Sequence, residues 1–82
     1  MPTVTVLYFA QARDRLGSDA EKLSLPALAG AAEVLAAIRA RHPAHATLID
    51  RCRVAIDQQF VDAPVAIGDH SEIALIPPVS GG

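Results

Sequence analysis

The sequence predicts an α+β two-layer domain, a mixed sheet of four to five strands packed on one main helix. Three observations carry this reading. A run of β-branched and aromatic residues opens the chain, and a single stretch long enough for a covering helix lies between residues 29 and 42. The apolar segments also come in blocks, a hairpin, then a helix, then further strands, rather than as alternating strand–helix units.

Taken in order, Thr3 to Phe9 (TVTVLYF) has the composition of a strand. Gln11 to Ala20 is polar, carries Gly17 and Ser18, and is expected to be a connection or hairpin loop. Glu21 to Leu25 (EKLSL) alternates as the antiparallel partner of the first strand, and Pro26 closes it. The segment AGAAEVLAAIRARH favours helix, with Ala31, Val34, Leu35 and Ile38 on one face. Arg39, Arg41 and His42 suit the negative end of the helix dipole, and Pro43 stops it. Ala44 to Arg51 has room for a short helical turn. Arg53 to Asp57 and Gln59 to Val61 read as short strands, Asp62, Pro64 and Gly68 to His70 as turns, and Ser71 to Ile76 (SEIALI) as the last strand. The resulting order, β-β-α-β-β-β, resembles the ubiquitin-like β-grasp arrangement, which periodicity alone does not single out.

A chain of 82 residues forms one domain and buries only about 60% of the surface its unfolded form exposes. One small core fits; a deep substrate pocket does not. The body is expected to span residues 1–76, with a flexible functional tail over 77–82. A net charge of −2 gives no reason to expect nucleic acid or an anionic membrane as partner. No apolar run approaches the roughly 20 residues of a membrane span, and the N-terminal segment lacks a basic region preceding an apolar one. With a single cysteine there is no internal disulfide framework, and a cytoplasmic location is expected.

Internal chemistry is sparse. The sequence has no phosphate-binding GxxxxGK[ST] loop, GxSxG elbow or HExxH metal helix. Cys52 lies between Arg51 and Arg53, which lower a thiol pKa when close in space, but free cysteine is most often a buried packing residue. His42 and His45 have the spacing of a helical metal pair, yet Pro43 interrupts any helix between them and no third ligand follows. Both are expected at the surface, as is His70, and no metal is expected. Asp14, Asp19 and Glu21, beside Arg13, Arg15 and Lys22, read as solvated surface rather than as an acid–base pair.

The end of the chain is different. Pro77 and Pro78 cannot extend a central sheet ladder, so the chain must leave the body there. Val79, Ser80, Gly81 and Gly82 then reach roughly 13–14 Å when extended. Paired glycines let such a tip enter a channel too narrow for a Cβ. A carboxylate at that tip can attack the α-phosphate of ATP to give an acyl-adenylate, from which a sulfur nucleophile displaces AMP. Another protein must supply the ATP site.

Three segments carry a family resemblance: Tyr8-Phe9-Ala10-Gln11-Ala12-Arg13-Asp14 with Gly17, then Glu72-Ile73-Ala74, and finally Pro77-Pro78-Val79-Ser80-Gly81-Gly82. The chain resembles the small subunits of molybdopterin synthase, in the MoaD/ThiS ubiquitin-like family of sulfur carriers. The resemblance implies a β-grasp fold, a non-catalytic subunit, no stably bound cofactor, and Gly82 as the site of adenylation and thiocarboxylate formation. It implies three partners: an E1-like adenylating enzyme that uses ATP, a sulfurtransferase as sulfur source, and the large synthase subunit in a heterotetramer. In that subunit's active site, sulfur would pass to cyclic pyranopterin monophosphate. Where the family usually has asparagine this chain has Asp57, which keeps the acceptor and loses the amide donor. Where the family has a DGDE turn this chain reads Asp69-His70-Ser71-Glu72, so the turn either changes type or holds a non-glycine residue at positive φ.

A protein without a pocket acts by docking. Some of Phe9, Phe60, Val65, Ile67, Leu75 and Val79 are expected to form an apolar patch beside the tail; Phe60 and Leu75 belong either near that face or in the core, and Arg13 either near the tail's base or on the surface elsewhere. The alternatives are a carrier feeding another pathway (thiamin or tRNA thiolation), a ubiquitin-like modifier joined to lysines through Gly82, or a plain interaction module. Thiamin carriers share the Gly-Gly end but usually lack the Pro-Pro-Val stretch.

Overall fold

The computed structural model describes residues 1–78. Strands β1 (Thr3–Tyr8), β2 (Ala20–Ser24), β4 (Arg53–Ile56), β5 (Gln59–Phe60) and β7 (Glu72–Ile76) form one mixed sheet in the order β2-β1-β7-β4-β5. All neighbours are antiparallel except β1 and β7, which run parallel. The last strand thus sits at the centre, between the first strand and β4. Strands β3 (Leu28–Ala29) and β6 (Val65–Ala66) make a separate two-stranded ladder. Two residues each carry no readable periodicity, which is why the sequence showed only Pro26 and Pro64 there.

Alternation decides which face of the sheet is inside. Val4, Val6 and Tyr8 of β1, Leu23 of β2, Val54 and Ile56 of β4, and Ile73 and Leu75 of β7 are all buried in one cluster. Helix α2 (Ala31–Arg41) covers that face with Val34 and Ile38 fully buried and Ala31 and Leu35 partly so, the stripe that the sequence spacing predicts. The Glu33 carboxylate accepts the Gly30 N–H at 2.7 Å and closes the first turn of α2. A 3₁₀ turn at Pro43–His45 leads into α3 (Ala46–Asp50), whose Ile49 completes the core. The short helical turn expected after Pro43 is therefore present.

The polar stretch after β1 is not a loop. Ala10–Leu16 forms helix α1, which buries Ala12 and packs Leu16 against the core. Gly17 ends it at φ 74°, its N–H bonded to the Arg13 carbonyl. Gly17, weighed in the sequence as a loop marker, is instead the left-handed residue just past a helix of good helix formers.

Candidate functional site

Strand β7 leads to the tail. Its final residue, Ile76, pairs with Arg53 at the start of β4, and Leu75 pairs with Tyr8 at the end of β1. Pro77 follows half-buried and Pro78 exposed, neither in a strand, as expected for residues with no N–H to offer a ladder. The expected tail residues Val79, Ser80, Gly81 and Gly82 lie outside the described residues.

The helical residues of the core cluster, Ala12, Val34, Ile38 and Ile49, pack with the inward residues of the sheet. Alternation and register bring Leu7, Ala74, Ile76, Ala55 and Phe60 together on the opposite face, because cross-strand partners point the same way. Leu7, Ala74, Ala55 and Ile76 are absent from the core cluster although partly or fully buried. Phe60 is 52% exposed on the short edge strand. Phe9 is 44% exposed and has extended backbone, so it continues the alternation of β1 and comes level with Ile76. The expected docking residues Phe9 and Phe60 thus lie on the open face, Phe9 level with Ile76 where the chain leaves β7 and Phe60 level with Ala74 at mid-strand.

Leu75 does not. It is fully buried in the core cluster, because it shares the inward parity of Ile73. The SEIALI alternation already separated Leu75 from Ile76, and the expectation chose the wrong parity. Ile67 is buried and Val65 packs against the core, so neither joins the exposed patch. Arg13 is exposed, and its guanidinium lies 3.9 Å from Asp14 and 3.8 Å from Asp19, the residue whose carbonyl accepts the Tyr8 N–H. What the sequence did not reveal is Arg53, whose guanidinium carbon sits over Phe60 at 3.7 Å from the ring centroid. Their contact depends on the β4–β5 register, which no local spacing announces.

Two turns shape the far end of β7. Asp57 and Gln58 have φ of 51° and 70°, closing the β4–β5 hairpin in two residues. The Asp57 carboxylate accepts the Glu72 N–H at 2.9 Å, while its own N–H donates to the Glu72 carbonyl at 2.8 Å. The acceptor alone suffices here, so the amide donor of asparagine is dispensable. In the following turn the Ser71 N–H donates to the Gly68 carbonyl, and the Ser71 hydroxyl accepts the Gly68 N–H. His70 does not have positive φ, so this turn holds no strained histidine.

Glu21 and His42 depart from expectation. Glu21 is on β2, the strand expected for it, but its side chain is only 17% exposed rather than solvated. Its Oε1 accepts the Tyr8 hydroxyl at 2.6 Å and the His42 Nε2–H at 2.8 Å, and its Oε2 faces Arg41 at 3.1 Å. Burial alone would raise the Glu21 pKa, but the bonds from Tyr8 and His42 and the charges of His42 and Arg41 outweigh it and hold the carboxyl below its usual range. The Tyr8 hydroxyl is pushed well above its ordinary value by burial and by the Glu21 carboxylate. His42 is half-buried in this cluster, whereas His70 is exposed as expected.

Cys52 is buried, its Sγ 3.3 Å from the Leu48 carbonyl, and burial raises its thiol pKa. A raised pKa keeps it a neutral packing residue rather than a nucleophile. Among the described residues no group of three potential metal ligands occurs, and no helix is long and apolar enough to cross a membrane.

Residues 6–82 match the ThiS family. The chain belongs to that family. It is 37% identical to the molybdopterin synthase sulfur carrier subunit of Chlamydomonas reinhardtii, over 96% of this chain and 98% of the relative. The human molybdopterin synthase sulfur carrier subunit is 35% identical, with 96% and 93% covered. Among solved structures, SAMP1 (small archaeal modifier protein 1) from Haloferax volcanii superposes with a TM-score of 0.78 at 25% identity, covering 98% of this chain and 99% of that one. The ubiquitin-like β-grasp fold follows from these likenesses and from the sheet order.

Proposed function

We propose that this protein is a cytoplasmic sulfur carrier of molybdenum-cofactor biosynthesis and the non-catalytic small subunit of a molybdopterin synthase. The observation that carries the reading is near end-to-end similarity to sulfur carrier subunits, with a family match that runs through Gly82. The geometry supports it: a central strand ends at a diproline, beside an open apolar face that can dock a partner.

In this reading an E1-like enzyme binds the open face and holds ATP. The Gly82 carboxylate attacks the α-phosphate, pyrophosphate leaves, and an acyl-adenylate forms. The persulfide of a sulfurtransferase attacks the acyl carbon and displaces AMP, and a second thiol then cleaves the acyl disulfide, leaving a thiocarboxylate and a disulfide between the two thiols. The tail then enters the large subunit of the synthase, where sulfur passes to cyclic pyranopterin monophosphate and water restores the carboxylate. Two charged carriers supply the two sulfurs of the dithiolene, in keeping with a heterotetramer that has one small subunit at each end of a large-subunit dimer. Phe9 and Phe60 provide docking contact, while Pro77 to Gly81 thread the channel.

Intact mass tests this directly. Incubation with ATP, the activating enzyme and a sulfur donor replaces one carboxyl oxygen with sulfur, a gain of about 16 Da from the atomic masses, and deletion of Gly82 abolishes it. No mass change and no adenylate would refute the carrier reading. The likeness to a small archaeal modifier favours one second reading, a ubiquitin-like modifier. Amide conjugates between Gly82 and lysines of other proteins, formed under the same conditions, would establish it.

A further inference from the structure

On the strength of the proposed function, we infer that Arg53 is a specificity-determining residue for the large subunit, where it meets a carboxylate at the mouth of the channel that receives the tail. Three observations place it there. Arg53 is the cross-strand partner of Ile76, the last residue before the diproline, so its backbone is fixed at the tail's base. Its guanidinium is stacked on Phe60 at 3.7 Å, which orients a long side chain that would otherwise sample many rotamers. Among the described residues, Arg53 makes no salt bridge and no side-chain hydrogen bond. By contrast Arg13, Arg39 and Arg41 each face a carboxylate of this chain.

An oriented guanidinium with its donors free is a site for a planar anion, carboxylate or phosphate. Reach decides between them. An extended tail of six residues places its tip roughly 20 Å beyond Ile76. Nucleotide and pterin phosphates lie near the reacting carbonyl and therefore far from Arg53. What abuts the tail's base is the protein rim around the channel, and the complementary rim group is an Asp or Glu side chain. The ring beneath Arg53 also makes this contact half apolar: the partner's acid has to sit at the edge of a patch that covers Phe60 and Ile76. That combination discriminates among proteins offering similar apolar docking surfaces.

The test measures Kd for the full-length chain and the large synthase subunit of the same organism, from low to high salt. R53A, R53K and R53E are compared, with Lys22→Gln as a charge control, since Lys22 lies level with Thr5, far from the tail's base. R53A is expected to weaken binding about tenfold at low salt and to flatten its salt dependence; R53E weakens it further, by about a hundredfold. R53K recovers part of the affinity, and Lys22→Gln leaves it unchanged. Circular dichroism and Tm establish that each variant is folded. If the native chain binds but the Arg53 variants bind equally well with the same salt slope, the inference fails and the carrier reading stands. If they bind the large subunit normally and lose only adenylation, the carboxylate belongs to the activating enzyme and the inference as stated is wrong. If the native chain does not bind the large subunit, both fall.

Discussion

Replacing Glu21 with alanine tests whether a polar cluster, and not only the apolar core, locks α2 to the paired strands β1 and β2. The carboxylate accepts from Tyr8 on β1 and His42 at the end of α2, and it pairs with Arg41. Its side chain is 17% exposed, so these are not freely solvated surface contacts. A hydrogen bond to a charged group contributes about 1.5–3 kcal/mol, and an unpartnered buried group costs a further ~1–3 kcal/mol. Water can reach His42 and Arg41 after truncation, which favours the lower part of that range. A loss of about 2 kcal/mol is expected, which for a domain of this size lowers Tm by roughly 8–16 °C. The sign with pH follows from the shift. Glu21 titrates below its ordinary value of 4.5 in the folded state. Its stabilisation is thus complete above that value and is lost as pH falls through the folded pKa. Urea denaturation of the native chain and E21A at pH 7 and at successively lower pH should show two curves converging below about pH 4.5. A gap that stays constant through the acid range, or E21A as stable as the native chain at pH 7, would refute the assignment of Glu21 as a folded-state anchor.

The two faces of β7 predict opposite phenotypes. Leu75→Ala removes a fully buried side chain from the central strand and should cost about 2–5 kcal/mol of stability by chemical denaturation. Phe60→Ala on the open face should cost under about 1 kcal/mol yet weaken large-subunit binding at least tenfold by calorimetry. Asp57→Asn should leave stability within about 0.5 kcal/mol, because its carbonyl still accepts the Glu72 N–H and asparagine tolerates positive φ. Asp57→Ala loses both properties and should lower stability by about 1–2 kcal/mol in thermal melts.

Legibility followed the length of the signal. The β1 run, the α2 stripe and the β7 alternation each span five or more residues, and each was readable. The ladder of β3 and β6 rests on two residues per strand, held by long-range pairing that no local pattern encodes. Helix α1 was misread because Gly17 and the charges of Arg13, Asp14 and Arg15 outweighed a weaker cue, Ala12 and Leu16 four apart on one face. At the candidate site, the tail was legible in composition and the open face only in part. Phe9 and Phe60 are aromatic and were noticed; Arg53 acquires meaning only when β5 folds back over β4. Glu21 was misplaced for a related reason. Its partners Tyr8 and His42 are 13 and 21 residues away in sequence, and a carboxylate beside Lys22 looks solvated until the helix end arrives.

The sheet order makes β7 a firm base for the C-terminal segment that follows it. An edge strand can peel from its single neighbour, so a tail attached to it would carry any pull from a partner into local unfolding. Strand β7 is instead paired on both sides, to β1 over Thr5–Tyr8 and to β4 over Arg53–Ile56. Its inward residues Ile73 and Leu75 are fully buried. Releasing it would break two ladders and open the core together, which is close to global unfolding. The rigidity persists to Ile76, the last paired residue, and the diproline then ends the ladder. A partner that grips the tail therefore grips the whole domain. The orientation of the open face, with Phe60 and Arg53 upon it, is set relative to Ile76 by the sheet itself.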